Sequence, residues 1–175
     1  MNNHTDRAII WQKNYNNWDN LRSSITYLSE MLKLIKAKTV FDMGCGQSHI
    51  WDIPNIEYIG GDLCGDLIDD NKRNYPDVAF IRFDALRADV PSSDVIVVKD
   101  LFEFLPSDEI RLILQKIYGS GSRWMIASTN PKIRDTITTT EGVYRPVNLQ
   151  NYSCKLVILT HNNMGLFELS RKRHE

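Results

Sequence analysis

The chain is expected to fold as an α/β domain built on a mostly parallel sheet with an antiparallel edge. Three observations predict this. Short apolar runs alternate with segments whose apolar residues recur every three or four positions, the marks of strands and helices taken in turn. The run Asp94-Val95-Ile96-Val97-Val98-Lys99 is continuously apolar at its centre, as in a strand covered on both faces. The last two apolar runs, residues 155–160 and 165–170, have no helix between them; Asn162-Asn163-Met164 joins them as a hairpin.

The elements follow in order. Over residues 19–36, Leu21, Ile25, Leu28, Leu32 and Ile35 line one helical face, and Asp19 or Asn20 supplies a capping oxygen. Thr39–Met43 is a short buried strand running into the turn Gly44-Cys45-Gly46. Glu57–Asp62 is the second strand. Its helix covers about residues 66–74 and stops ahead of Pro76, because the residue before a proline is pushed out of helical conformation. Residues 78–83 and 94–99 are the third and fourth strands. A helix opens at Pro106-Ser107 with Ser107 as its cap, turns Ile110, Ile113, Leu114 and Ile117 inward, and ends at Gly119. Residues 124–129 form the fifth strand and the closing hairpin the last two. Residues 131–152 show no element of their own, and a connection of that length is usually functional or disordered.

Composition narrows the function classes. A length of 175 residues supports one substantial core and not two, so residues 1–175 are expected to form a single domain. With 42% hydrophobic and 25% charged residues the chain is neither a disordered nor a fibrous type. No apolar run approaches the roughly 20 residues that span a bilayer. The start, Met1-Asn2-Asn3-His4, has no apolar stretch behind it, so no signal peptide is expected. A net charge of −1 disfavours a nucleic-acid partner held by a broad basic face, and Arg171-Lys172-Arg173-His174 reads as a solvated end. Cys45, Cys64 and Cys154 lack metal-ligand spacing and read as cytoplasmic thiols; no metal site is expected.

In open sheets of this kind the ligand lies beyond the carboxyl ends of the strands. Those ends carry Asp42, Gly44, Asp62, Asp84, Asp100 and Asn130. Glycines in the first turn let a ligand approach the main chain, although a packed strand-to-helix turn needs glycine as well. Asp62 stands twenty residues after Asp42 at the end of the next strand, where a carboxylate can accept both hydroxyls of an adenosine ribose. Asp84 closes the third strand in the same register. Any one of these aspartates alone is equally a capping residue; three after three successive strands point to a nucleoside-like ligand.

Taken together, Val40-Phe41-Asp42-Met43-Gly44-Cys45-Gly46, Tyr58-Ile59-Gly60-Gly61-Asp62, Phe80-Ile81-Arg82-Phe83-Asp84-Ala85 and residues 94–105 resemble motifs I to IV of the class I S-adenosylmethionine-dependent methyltransferases. The resemblance runs from about Thr39 to Ser170. It implies a Rossmann-like three-layer sandwich with seven strands in the order 3-2-1-4-5-7-6, strand 7 antiparallel. It further implies S-adenosyl-L-methionine as cofactor and S-adenosyl-L-homocysteine as product. The methionine part would lie against Gly44, Cys45 and Gly46 with Asp42 beneath. The ribose would meet Asp62 beside Leu63, and the adenine Asp84 and Ala85. Lys99 and Asp100 would line the pocket near the sulfonium. Ser48 departs from the family, which commonly has a third glycine there; His49 at the sixth position disfavours a nicotinamide-type turn.

Methyl transfer is an in-line displacement that needs positioning and at most one general base. Asp100 is the candidate base or acceptor ligand. Tyr15, Trp18, Glu103, Asn130 and Arg145 are the candidate acceptor-binding residues, Glu103 being alternatively a solvated loop residue. Arg145, stiffened by Pro146, suits an anionic group, or a surface ion pair. His49 and His161 read as surface residues. Lys99-Asp100-Leu101-Phe102 is not the Asn-Pro-Pro-Tyr type of base-amine methyltransferases, and no catalytic cysteine follows strand 4. The expected function is methyl transfer to a small-molecule or sugar-like acceptor. A non-catalytic partner subunit and a nucleic-acid methyltransferase needing an accessory protein are the alternatives. Residues 1–20 would form a lid segment and 131–152 an acceptor-side loop. With so little chain left over, either the acceptor is small or a second copy or partner protein helps hold it.

Overall fold

A computed structural model describes residues 18–47, 53–133 and 144–169, with side chains from residue 25 onward. Among them the amphipathic segments form α1 (Trp18–Leu34), α2 (Gly65–Asn74) and α3 (Ser107–Gly119). The apolar runs form β1 (Thr39–Met43), β2 (Glu57–Asp62), β3 (Ala79–Arg82), β4 (Val95–Val98), β5 (Trp124–Ser128), β6 (Lys155–Leu159) and β7 (Met164–Glu168). The seven strands make one sheet in the order β3-β2-β1-β4-β5-β7-β6. Strands β1 to β5 pair in parallel, and β7 runs antiparallel to both β5 and β6. This is the expected topology. No helix among the described residues is long and apolar enough to cross a membrane.

The period-two pleat of the central strands divides the core into two layers. In β4, Ile96 and Val98 join Phe41, Met43 and Phe102 on the face covered by Ile110, Ile113 and Ile117 of α3. Val95 and Val97 join Val40 and Ile126 on the opposite face, covered by Leu28 and Leu32 of α1 and Ile68 of α2. Strand β4 is buried at every position, which is why its sequence shows no polar alternation. Asp94, just before it, ties β4 to β1: its Oδ2 accepts from the N–H groups of Lys38 and Thr39 at 2.8 and 3.1 Å. Those bonds hold its carboxyl below the usual range.

The register brings the ends of the parallel strands to one edge: Asp42 stands opposite Gly60 and Val97, and Asp62 opposite Arg82. Gly60 and Gly61 make that edge compact. A Cβ at Gly60 would sit 2.8 Å from the Phe80 ring, and one at Gly61 2.9 Å from the ring of Phe41.

Several boundaries differ from the sequence reading. Helix α1 ends at Leu34 because Lys36 turns left-handed at φ 55°, with Ala37 N–H donating to the Leu32 carbonyl at 3.0 Å. Ser107 is the first residue of α3 and not its cap; Pro106 takes that position and the Ser107 Oγ has no hydrogen-bond partner among the described residues. Within 131–152 a short helical turn, Leu149–Tyr152, is capped by the Asn148 side chain accepting from Gln150 N–H. Four residues are too few to leave a periodic signal. The sixth and seventh strands are joined by a turn that ends at Asn163, φ 62°, and β7 begins at Met164.

Candidate active site

The turn after β1 is shaped by two left-handed glycines, Gly44 at φ 78° and Gly46 at φ 53°. It folds over the end of β2: the N–H groups of Gly44 and Cys45 both donate to the Gly61 carbonyl, at 2.8 and 3.1 Å. Asp62 closes the arrangement. Its Oδ2 accepts from Gly46 N–H at 3.0 Å and its Oδ1 from Cys64 N–H at 2.9 Å. Burial pushes its carboxyl upward, and the backbone N–H groups oppose that. A carboxylate offers about four acceptor positions, so these bonds orient Asp62 and leave capacity for hydroxyl donors.

Asp42 lies beneath the turn, 1% exposed, and accepts from the Tyr58 hydroxyl at 2.8 Å. The Cys45 side chain is turned inward against that hydroxyl, and burial pushes both the thiol and the phenol up. Asn71 fastens the turn from outside, its Nδ2 donating to the Gly46 carbonyl at 2.8 Å. Sequence reasoning missed Asn71. The signal was there: it falls four positions after Leu67 and three after Ile68, on the buried face of α2.

A small apolar recess of about 30 Å³ opens beside this turn. Gly44, Leu63, Asp84, Ala85, Leu101 and Leu105 are among its walls. Asp84 bends the chain around it, Oδ1 accepting from Leu86 N–H at 3.0 Å.

A second cavity, polar and of about 290 Å³, lies past the ends of β4 and β5, where Lys99, Asp100, Glu103, Asn130 and Tyr144 meet the Asn162-Asn163 turn. Asp100 has a left-handed backbone, φ 54°, an uncommon conformation for a residue with a Cβ. It is held there by Ser128: Asp100 N–H donates to Ser128 Oγ at 3.0 Å, and that hydroxyl donates to Asp100 Oδ1 at 2.8 Å. Asp100 Oδ2 is ion-paired with Lys99. Ser128 is a second residue the sequence reading passed over, although it ends β5 two positions before Asn130.

Glu103 is 4% exposed, and its Oε2 has no hydrogen-bond partner among the described residues. It sits in a short helical turn between buried Phe102 and Phe104, not in a solvated loop. Burial, helped by the charge of Asp100 and opposed by a backbone hydrogen bond and then by Lys99 and Arg145, pushes its carboxyl up to about 8. Between the ordinary glutamate value and about 8 the folded chain binds the extra proton, so this group makes folding less favourable as pH rises through that window. Glu103→Gln is therefore expected to raise the melting temperature at pH 8 and to leave it nearly unchanged at pH 4.5. Thermal denaturation at the two values checks this.

Arg145 lies elsewhere than an anion clamp requires. Its guanidinium is buried, Nη2 donating to the Leu105 carbonyl at 2.9 Å, while its backbone N–H donates to the Glu103 carbonyl at 2.9 Å. It pins residues 144–149 against the 102–105 turn, and its neighbours Tyr144 and Pro146 face the cavity instead. The strand ends thus gather Gly44, Leu63, Asp84 and Ala85 around the recess with Asp62 at the turn beside it, and Lys99, Asp100, Glu103 and Asn130 around the polar cavity. Tyr15 lies outside the described residues, as does the side chain of Trp18. Residues 99–105 form a wall shared by both cavities, with Asp100 and Glu103 on the polar side and Leu101 and Leu105 on the apolar side.

This strand order is that of the class I S-adenosylmethionine-dependent methyltransferase fold. Solved structures of that class superpose on the chain. Magnesium protoporphyrin IX methyltransferase (ChlM) from Synechocystis PCC 6803, with bound SAH, matches at TM-score 0.65 and 14% identity, over 91% of this chain and 92% of that one. The methyltransferase domain of bacterial CtHen1 matches at TM-score 0.63 and 14% identity, over 87% of this chain and 100% of that one. Human N-acetylserotonin methyltransferase in complex with SAM matches at TM-score 0.60 and 12% identity, over 82% of this chain and 54% of that one, so the chain spans about half its length. At such identities the likeness is one of fold. No protein-family model and no curated protein matches the sequence.

Proposed function

We propose that the chain is an S-adenosylmethionine-dependent methyltransferase acting on a small-molecule or sugar-like acceptor. The observation that carries this reading is the pair of cavities, one apolar and one polar, divided by the single wall of residues 99–105. The donor set fits the cofactor. The recess has apolar walls against which a planar base can pack, with the Asp84 turn at its edge. Asp62 supplies an oriented carboxylate for ribose hydroxyls, and Gly44 and Gly46, which carry no side chains, let a ligand approach the turn closely. When bound, S-adenosylmethionine supplies a methyl group on a cationic sulfur.

The rest is done by the residues of the polar cavity. Asp100, fixed by Ser128 and Lys99, orients the O–H or N–H of the acceptor. Asn130 offers its amide from the end of β5, and Tyr144 closes the far side with its ring against Phe104 at 5.6 Å. Much of the rate enhancement in such a site is positioning and exclusion of water. Titration calorimetry on protein purified free of ligand tests the reading. S-adenosylmethionine and S-adenosylhomocysteine are both expected to bind, and Asp100→Ala is expected to keep that binding while losing turnover. Absence of heat with either ligand overturns the proposal, and full turnover in Asp100→Ala removes Asp100 from the chemistry.

A further inference from the structure

Glu103 is the group in the polar cavity that the proposed roles leave unused. It is buried on the wall between the cavities, with one carboxyl oxygen that has no partner among the described residues. The charges facing it come from two elements. At the end of β4, Lys99 and Asp100 are paired with each other; from the segment opposite, Arg145 donates to the Leu105 carbonyl and Tyr144 offers a neutral phenol. Lys99 and Asp100 cancel, and Arg145 supplies the remaining positive charge while directing Nη2 to the Leu105 carbonyl; Glu103 Oε2 itself receives no hydrogen bond among the described residues, in a place where a bare carboxylate oxygen is costly.

The two ligands of a methyltransferase of this kind differ by one methyl and one positive charge. With the cofactor in the recess and the acceptor in the polar cavity, as proposed, the sulfur would lie near the wall that carries Glu103. This argument rests on the function proposed above. We propose that Glu103 reads the charge of the bound cofactor: it holds a proton in the free protein, yields it to solvent when the cationic sulfonium enters, and so favours the charged substrate form over the neutral product form. The balance is simple. The carboxyl O–H breaks, the proton passes to buffer, the carboxylate would balance the sulfonium charge, and no bond of the cofactor changes. The high affinity of Glu103 for its proton, set first by burial and then by Asp100, keeps the free protein protonated near neutral pH.

Calorimetry with S-adenosylmethionine and S-adenosylhomocysteine, in buffers of different ionisation enthalpy from pH 6 to 9, decides the matter. Near pH 7 the methionine form is expected to release up to one proton more than the homocysteine form. The affinity ratio should climb by up to about tenfold per pH unit below pH 8 and level off above it. Glu103→Gln should remove the Glu103 share of that difference and flatten the ratio, while any contribution from the ligands' own amino groups persists in the variant. Asp100→Asn takes away a charge that raises the Glu103 carboxyl, so it should move the levelling point to lower pH. A proton difference and a ratio profile unchanged in Glu103→Gln, or a levelling point unmoved in Asp100→Asn, overturn the inference while leaving the proposed function standing. If neither ligand binds, the proposed function falls and the inference falls with it.

Discussion

Asp62→Ala is expected to abolish measurable binding of S-adenosylmethionine and S-adenosylhomocysteine. Two hydrogen bonds from ribose hydroxyls to a carboxylate are worth about 1.5–3 kcal/mol each, so removing both weakens binding by roughly a hundredfold to ten-thousandfold. The variant also leaves the N–H groups of Gly46 and Cys64 without their acceptor, and the glycine turn loses its tether to the end of β2. Asp62→Asn separates the two effects. It retains one acceptor oxygen and so keeps part of the tether, but offers less to a pair of hydroxyls. Calorimetry with S-adenosylhomocysteine, alongside urea denaturation of each variant, measures both. An affinity within a few-fold of the parent in Asp62→Ala would remove the ribose role.

The largest stability effect is expected at Phe102. Its ring is fully buried within the core layer shared with Phe41, Ile110 and Ile113, and it lies in the wall that divides the cavities. Phe102→Ala is expected to cost about 3–5 kcal/mol through lost burial and the cavity left behind. That is a large share of the roughly 5–15 kcal/mol that holds a domain folded. The urea midpoint should fall with little change in slope, and cofactor affinity should fall with it because Leu101 and Leu105 lose their backing. A loss below about 1 kcal/mol would show that the wall is anchored elsewhere.

The part of this molecule that could be read in advance is the part governed by local pattern. Thr39–Met43 and Glu57–Asp62 coincide with the observed strands because each is a buried run ended by a turn or a carboxylate. The closing hairpin was visible because only turn residues separate its strands. The sheet order came from the family resemblance, since pairing between distant strands leaves no mark on either one alone. Long-range polar contacts were hidden for the same reason. Arg145 looks like a surface cation beside a proline, and only the fold shows that its partner is the Leu105 carbonyl, 40 residues away in the chain. Glu103 was open to reading as a solvated loop residue, yet Leu-Phe-Glu-Phe-Leu surrounds it with apolar side chains, and that context buries it. The backbone of Asp100 could not be anticipated at all, because its left-handed turn is held by a serine on another strand.

The shared wall bears on how such a protein acquires new substrates. Asp100 and Glu103 alternate along residues 99–105 with Leu101 and Leu105, so a substitution that reshapes the acceptor side also displaces a side chain on the other side. Drift in acceptor preference through this stretch is therefore filtered by the need to keep the first ligand bound. Tyr144 and Pro146 line the polar cavity and not the apolar recess. Acceptor scope should broaden first through those two positions, and a library randomised there should yield altered preferences with the affinity for S-adenosylhomocysteine intact.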